Sequence, residues 1–219
     1  MKRVIIICEG ETEREFSKTL LASYFGKKNI HIQSPLIKRS MGGIVRWTIL
    51  KKEIETYLKE NNVFVTMLID YYGLYSKYHF PNWEESLTIS DKNARMDFLE
   101  KAMQDNIEES VRHRFIPYLQ LHEFEGLLFN EIEIFYEQVP KNELIGVEEL
   151  KQTFKDYPDN PEMINNNPET SPSHRLERII SGYNKVLYGH YFAEAIGLDR
   201  IRNKSPRFNE WMRTIENID

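Results

Sequence analysis

Cysteine is almost missing from this chain: Cys8 stands alone among 219 residues. A single thiol excludes an internal disulfide framework and any zinc site built on cysteines. Within its apolar run, Cys8 reads as a small buried hydrophobe. Long hydrophobic runs are missing too. The N-terminal one follows Lys2 and Arg3 and spans only about five residues before it meets charge, too short for a signal peptide or a membrane span. A cytoplasmic protein with no membrane association is the expectation. Glycine is sparse, and its placement makes no phosphate-binding loop: neither GxxxxGK[ST] nor GxGxxG occurs. Gly42-Gly43 reads as a turn. GxSxG and HExxH are absent as well, and Asp70-Tyr71-Tyr72 is not the DxDxT of an aspartyl-phosphate enzyme.

What remains is an ordinary globular composition, 41% hydrophobic and 29% charged, with length enough for one large α/β domain or a domain plus a small helical appendage. A net charge of −5 gives no bulk electrostatic reason to expect nucleic acid. The average conceals a split. Glu123 to Glu169 holds twelve acids against three bases, Lys141, Lys151 and Lys155, whereas Ser171 to Arg213 holds eight bases against four acids. The C-terminal part therefore offers either a local basic surface suited to phosphate or a solvated mixed-charge face.

Periodicity predicts alternating strands and helices. Arg3 to Cys8 reads as a buried strand, followed by an amphipathic helix from Thr12 to Phe25, with Thr12 and Glu15 spaced as a capping box. Ile30 to Ile37 reads as a second strand and Val45 to Lys59 as a helix. Val63 to Asp70 is the third strand, Lys92 to His113 a helix, and Phe115 to Leu121 the fourth strand. A helix is expected to open at His122 to Phe129. Tyr71 to Asp91 reads as a long aromatic loop and Tyr157 to Pro172 as a linker or excursion. Three helices, Ser173 to Ile180, Lys185 to Ile196 and Pro206 to Glu216, close the chain. Such alternation implies parallel strands joined by right-handed crossovers.

The chemistry concentrates at strand ends. Val4 to Glu13, VIIICEGETE, runs from a buried strand into Glu9, a glycine turn and Glu13; Val63 to Asp70 ends the same way. Desolvating a carboxylate is costly unless a cation or several donors compensate it, and ligands of open α/β sheets bind beyond the strand C-termini. Were the two strands adjacent, Glu9 and Asp70 would share one crevice as hard oxygen ligands for Mg²⁺ or Mn²⁺, with Glu13 one helical turn away. The competing reading leaves Glu13 as a helix-dipole partner and Asp70 as a turn cap. His122-Glu123-Phe124-Glu125 adds acids in the same layer. Residues two apart do not share a helix face, so Glu123, nearer the strand, is the expected contributor. His122 is a ligand, a base or a structural histidine. Arg175 and Arg178, three apart on one helical face, together with Lys185 at a helix start, form a candidate phosphate-binding set; surface charge is the alternative. Tyr71, Tyr72, Tyr75, Tyr78, Phe80 and Trp83 could stack on bases or pack their own loop.

These segments, EGETE, IDYYG, PYLQLHEFEGLLF, SPSHRLERI, GYNKVLYG and IGLDRIRNKSPRFNEWM, together resemble domain-of-unknown-function family 4276 nearly end to end. That family is similar to the Toprim fold of topoisomerases, bacterial primases and the overcoming-lysogenization-defect nucleases. The resemblance implies a Toprim-like α/β core over 1–130, with about four mostly parallel strands, and a helical C-terminal extension over 131–219. It also implies Mg²⁺ held by a glutamate after strand one and a DxD pair after strand three. Glu9 and Asp70 match; Tyr72 stands at the second Asp position, so Glu13 or Glu123 would have to substitute. By the same resemblance Lys185 takes the part of a catalytic lysine beside Glu9 and Glu13. An ATPase partner of the AAA or ABC-like type and a setting in anti-phage defence are implied in the same way. The expected activity is metal-dependent cleavage of nucleic acid, DNA or RNA. The alternatives are a catalytically inactive effector or binding subunit of an ATPase complex and, more weakly, a primase-like activity.

Overall fold

A computed structural model of the chain describes every residue except 1, 39, 41, 42, 166, 168 and 219. Strand β1 (Lys2–Cys8) leads into α1 (Glu11–Phe16), a π turn (Ser17–Leu21) and α2 (Ala22–Gly26), one nearly continuous helical rod. Then follow β2 (Ile30–Gln33), α3 (Trp47–Leu58) and β3 (Val63–Asp70). After β3 come a short α4 (Trp83–Ser86), α5 (Lys92–Asn106), β4 (Phe115–Ile116) and β5 (Leu119–Gln120). The rest is helical: α6 (Ile132–Gln138), α7 (Val147–Asp156), α8 (Pro172–Ile179), α9 (Lys185–Ile196), α10 (Leu198–Lys204) and α11 (Pro206–Glu216).

The sheet runs β2-β1-β3-β4, with β5 pairing farther along β3, and every pairing is parallel. Both faces are covered, which is why its strands read as continuous apolar runs. Along β1, Val4, Ile6 and Cys8 face one core with Phe16, Leu21, Phe25, Phe192, Phe208 and Trp211. Ile5 and Ile7 face the other, with Trp47, Leu50, Ile54, Met96 and Leu99. Helices before and after β2 thus lie on opposite faces, as right-handed crossovers require when the chain reverses strand order at β1. The C-terminal helices complete the first face, where the Trp211 indole N–H donates to Thr66 Oγ1 at 2.8 Å.

Several boundaries differ from the sequence reading, each for a local reason. The second strand stops at Gln33: Pro35 lacks an N–H, and Leu36 rejoins β1 only through a bridge to Cys8. Pro117 likewise divides the fourth strand into β4 and β5. The helix predicted to reach His113 ends at Asn106, whose Oδ1 accepts from the Trp47 indole at 2.7 Å. Gly10, not Thr12, caps α1, and Glu13 rather than Glu15 accepts the Gly10 N–H at 2.9 Å. His122 to Phe129 is a 3₁₀ segment at Phe124–Leu128 rather than an α-helix. The 71–91 stretch packs Tyr71, Leu74, Phe80 and Trp83 inward and carries short helical turns. Tyr157 to Pro172 is no free linker, since Glu162 and Ile164 are buried in it. Gly197, with φ of 78°, separates α9 from the unforeseen α10. Gly43 has φ of 100°, and its partner in the expected turn, Gly42, lies outside the described residues. Among the described residues no helix is long and apolar enough to cross a membrane.

Candidate active site

Because β1 and β3 are adjacent, parallel and paired Cys8 to Leu68, their acidic ends arrive side by side. The Glu9 N–H donates to Leu68 O at 3.2 Å, and Glu9 Oε2 accepts from the Asp70 N–H at 3.1 Å. On the other side, β5 pairs Gln120 with Asp70, and the Phe124 N–H donates to Asp70 Oδ1 at 2.8 Å. Glu13 lies in the first turn of α1 with one oxygen on Gly10. Three carboxylates are therefore each pinned by a backbone amide.

Lys185 closes this cluster from α9. Its Nζ lies 3.0 Å from Glu125 Oε1 and 4.0 Å from Glu13 Oε1. Asn184 starts the helix by accepting from the Leu187 N–H at 2.9 Å, which sets Lys185 at its first position. One turn on, Gly189 lets α9 approach α1: a Cβ there would stand 2.7 Å from Thr12 Cγ2. Glu125 is fully buried, while the Lys185 side chain is 44% exposed, so the cluster reaches solvent past the lysine.

Electrostatics follow from four acids around one ammonium. Like charges about 4 Å apart repel by roughly 4 kcal/mol at an effective dielectric near 20. Burial, then Glu13, pushes the Glu9 pKa up to about 7. Burial also raises Glu125 to about 7, against the pull of Lys185, and raises Asp70 well above the usual carboxylate range. Burial opposes the Lys185 charge, but Glu125, Asp70 and Glu13 outweigh it, so its proton is held more tightly than in water. The Tyr183 hydroxyl is buried without a hydrogen-bond partner among the described residues, and its acidity is suppressed by burial and then by Glu125.

Not every expected residue belongs to this cluster. Glu123, the expected contributor, gives both oxygens to Ser173, accepting from its N–H at 2.8 Å and its hydroxyl at 3.0 Å, and so anchors α8. Glu125 occupies the place expected for it. The residue at 122 causes the exchange: His122 adopts φ of 62° and turns the chain before the two acids. Its ring is buried among Tyr71, Lys92 and Arg95, and burial lowers its pKa to about 4, which leaves it neutral. Tyr72 donates its N–H to His122 O at 2.8 Å and feels Tyr75 and Glu123. Arg175 donates to Thr170 O at 2.7 Å and to Thr153 Oγ1 at 2.9 Å, and Arg178 pairs with Glu149. Neither guanidinium is brought to the carboxylates; Lys185 is. Of the six aromatics in the 71–91 stretch, Tyr71, Phe80 and Trp83 are buried and Tyr75 is exposed.

The donor set suits a hard divalent cation: carboxylate oxygens alone, in negative excess, at a crevice open to solvent. Among the described residues, however, no group of three or more His, Cys, Asp or Glu side chains is arranged to hold a metal ion as it stands. The oxygen chemistry fits such an ion, while the side chains as placed form no cage.

A family model described as a domain of unknown function, DUF4276, matches residues 8–216. No curated protein and no solved structure matches the chain.

Proposed function

The chain belongs to the DUF4276 family, and from that membership and its buried carboxylates we propose that it is a Toprim-like, metal-dependent phosphodiesterase acting on nucleic acid. One observation carries the reading: Glu9, Glu13, Asp70 and Glu125 gather around one ammonium, a charge excess that folding alone gives no reason to keep. Glu9 and Asp70 would hold the principal Mg²⁺ or Mn²⁺, with Glu13 assisting and Glu125 in the part first expected of Glu123. A divalent ion bound there supplies Lewis-acid polarisation of a phosphodiester and a more acidic water. The residues do the rest. Glu9 and Glu125, pushed up to about 7 by burial in the metal-free protein, would be drawn back to the carboxylate form by the ion they hold. Lys185 neutralises charge developing on the phosphate. For Arg175 or Arg178 to contact phosphate, their bonds to Thr170, Thr153 and Glu149 would have to be exchanged.

The test is cleavage of DNA and RNA, single- and double-stranded, with and without Mn²⁺. Glu9→Gln and Asp70→Asn should each lower divalent-dependent cleavage by at least ~100-fold with circular dichroism unchanged. Equal cleavage by wild type and both variants would falsify the reading. A partner ATPase of the AAA or ABC type, in a setting of anti-phage defence, is part of the proposal; co-purification from the native host tests it.

Tyr72 at the second aspartate position supports a second reading, an inactive effector or binding subunit of an ATPase complex. Calorimetry separates the two, since such a subunit takes up no Mn²⁺ while still binding the ATPase.

A further inference from the structure

We propose that Lys185 is a resident counter-ion standing where the divalent cation belongs, so that metal binding and the Lys185–carboxylate contacts exclude one another. The inference rests on the metal-dependent reading above and concerns how that site is loaded.

Each of three acids has one oxygen fixed by a backbone amide: Glu9 Oε2 by Asp70, Glu13 Oε2 by Gly10, and Asp70 Oδ1 by Phe124. The second oxygens of Glu9 and Glu13 are differently placed. Glu13 Oε1 faces the Lys185 ammonium, and Glu9 Oε1 would lie 3.3 Å from a Cβ on Gly73. Glu125, fully buried, receives no backbone or hydroxyl donor among the described residues and has the same ammonium 3.0 Å away. The oxygens left over by the fold are therefore the ones an added cation would use, and the lysine already sits against two of them. An ammonium offers no lone pair to a metal and repels it. Both cannot stay.

Lys185 is also built to leave. It is the first residue of α9 and its side chain is 44% exposed, on a flexible four-carbon stem that can swing outward without moving the helix. An incoming ion would release the ammonium toward the solvent side, where a phosphodiester must approach. The lysine would thus meet substrate only in metal-loaded protein. This accounts for a carboxylate set that converges without yet forming a cage.

Calorimetric Mn²⁺ titration of wild type and Lys185→Met at pH 8 tests the proposal. The variant should bind Mn²⁺ tighter on the order of tenfold, because no cation has to be displaced. Equal or weaker binding by Lys185→Met overturns the counter-ion role and leaves the metal reading standing. No binding by either protein overturns both. A measurement on wild type alone covers failure of the variant to fold. Mn²⁺ should raise acylation of Lys185 by an amine-reactive reagent several-fold, read by mass spectrometry against exposed Lys151. An unchanged or slower rate at Lys185 overturns the proposal.

Discussion

Two groups of buried acids, at two places in this molecule, are treated in opposite ways. Between α5, β5 and α11, each acid is met by backbone amides or a guanidinium. Glu100 accepts from the Leu119 N–H and from Arg207, each at 2.8 Å. Glu162 accepts the first amides of α11, Arg207 N–H at 3.0 Å and Phe208 N–H at 3.1 Å, with Gln120 at 3.5 Å. Arg207 also binds Asp97 and Asn93. At the C-terminal edge of the sheet, four acids share one half-exposed lysine. The first group comes closer to what folding asks of a buried carboxylate, an arginine and backbone amides against Glu100 and Glu162. The second has one cationic side chain for four acids, the imbalance on which the proposed chemistry rests. Burial alone does not distinguish them; compensation does.

The comparison breaks most sharply at Arg207. Arg207→Met leaves Glu100 buried with one backbone donor, and the loss of one partner from a buried pair costs about 3–5 kcal/mol. Urea unfolding measures this. A cost under about 1 kcal/mol would mean that the matched region is no more compensated than the sheet edge. A smaller effect is expected at Gly189, whose missing Cβ sets how closely α9, and with it Lys185, approaches the carboxylates. Gly189→Ala forces a contact of 2.7 Å with Thr12 Cγ2, an overpacking cost of about 1–3 kcal/mol. Thr12→Ser removes that methyl, so the double variant should melt close to wild type. If Thr12→Ser recovers nothing, something other than this methyl sets the distance between α9 and α1.

The sheet and the pairing of Glu9 with Asp70 were legible because both come from one-dimensional patterns. Apolar runs mark strands, and the acids at their ends mark a shared crevice on the condition that strands one and three are neighbours, which the order β2-β1-β3-β4 meets. The choice between Glu123 and Glu125 was not legible. It hangs on one left-handed residue, His122, and on Ser173 fifty positions later, which takes both Glu123 oxygens. Helical spacing of Arg175 and Arg178 was read correctly as α8, but spacing does not say which groups across the interface, Thr153 and Glu149, will claim them. Lys185 was identifiable as a helix-start cation in GYNKVLYG. Its reach to Glu13 and Glu125 depends on Gly189, and what that glycine permits shows only once α1 is packed against it.

The mildest test reverses the usual sign of an active-site substitution. Glu9 has a folded pKa of about 7 against an ordinary value of 4.5. A raised carboxyl pKa contributes stability that is complete below the unfolded value and is lost as pH rises through the folded one. Metal-free wild type should therefore lose stability between about pH 5 and pH 8, with Glu125, also near 7, and Glu100, which burial likewise raises to about 7, acting in the same direction. Glu9→Gln keeps an oxygen for the Asp70 N–H and removes the charge. It should match wild type near pH 5 and exceed it by about 1 kcal/mol at pH 8. Denaturant midpoints at both values, in chelator, measure the difference. Saturating Mn²⁺ should then cancel the advantage, because the ion compensates what the glutamine had removed. A Glu9→Gln protein less stable than wild type at pH 8 would place Glu9 among the matched acids, beside Glu162, and leave the sheet edge with no excess charge to explain.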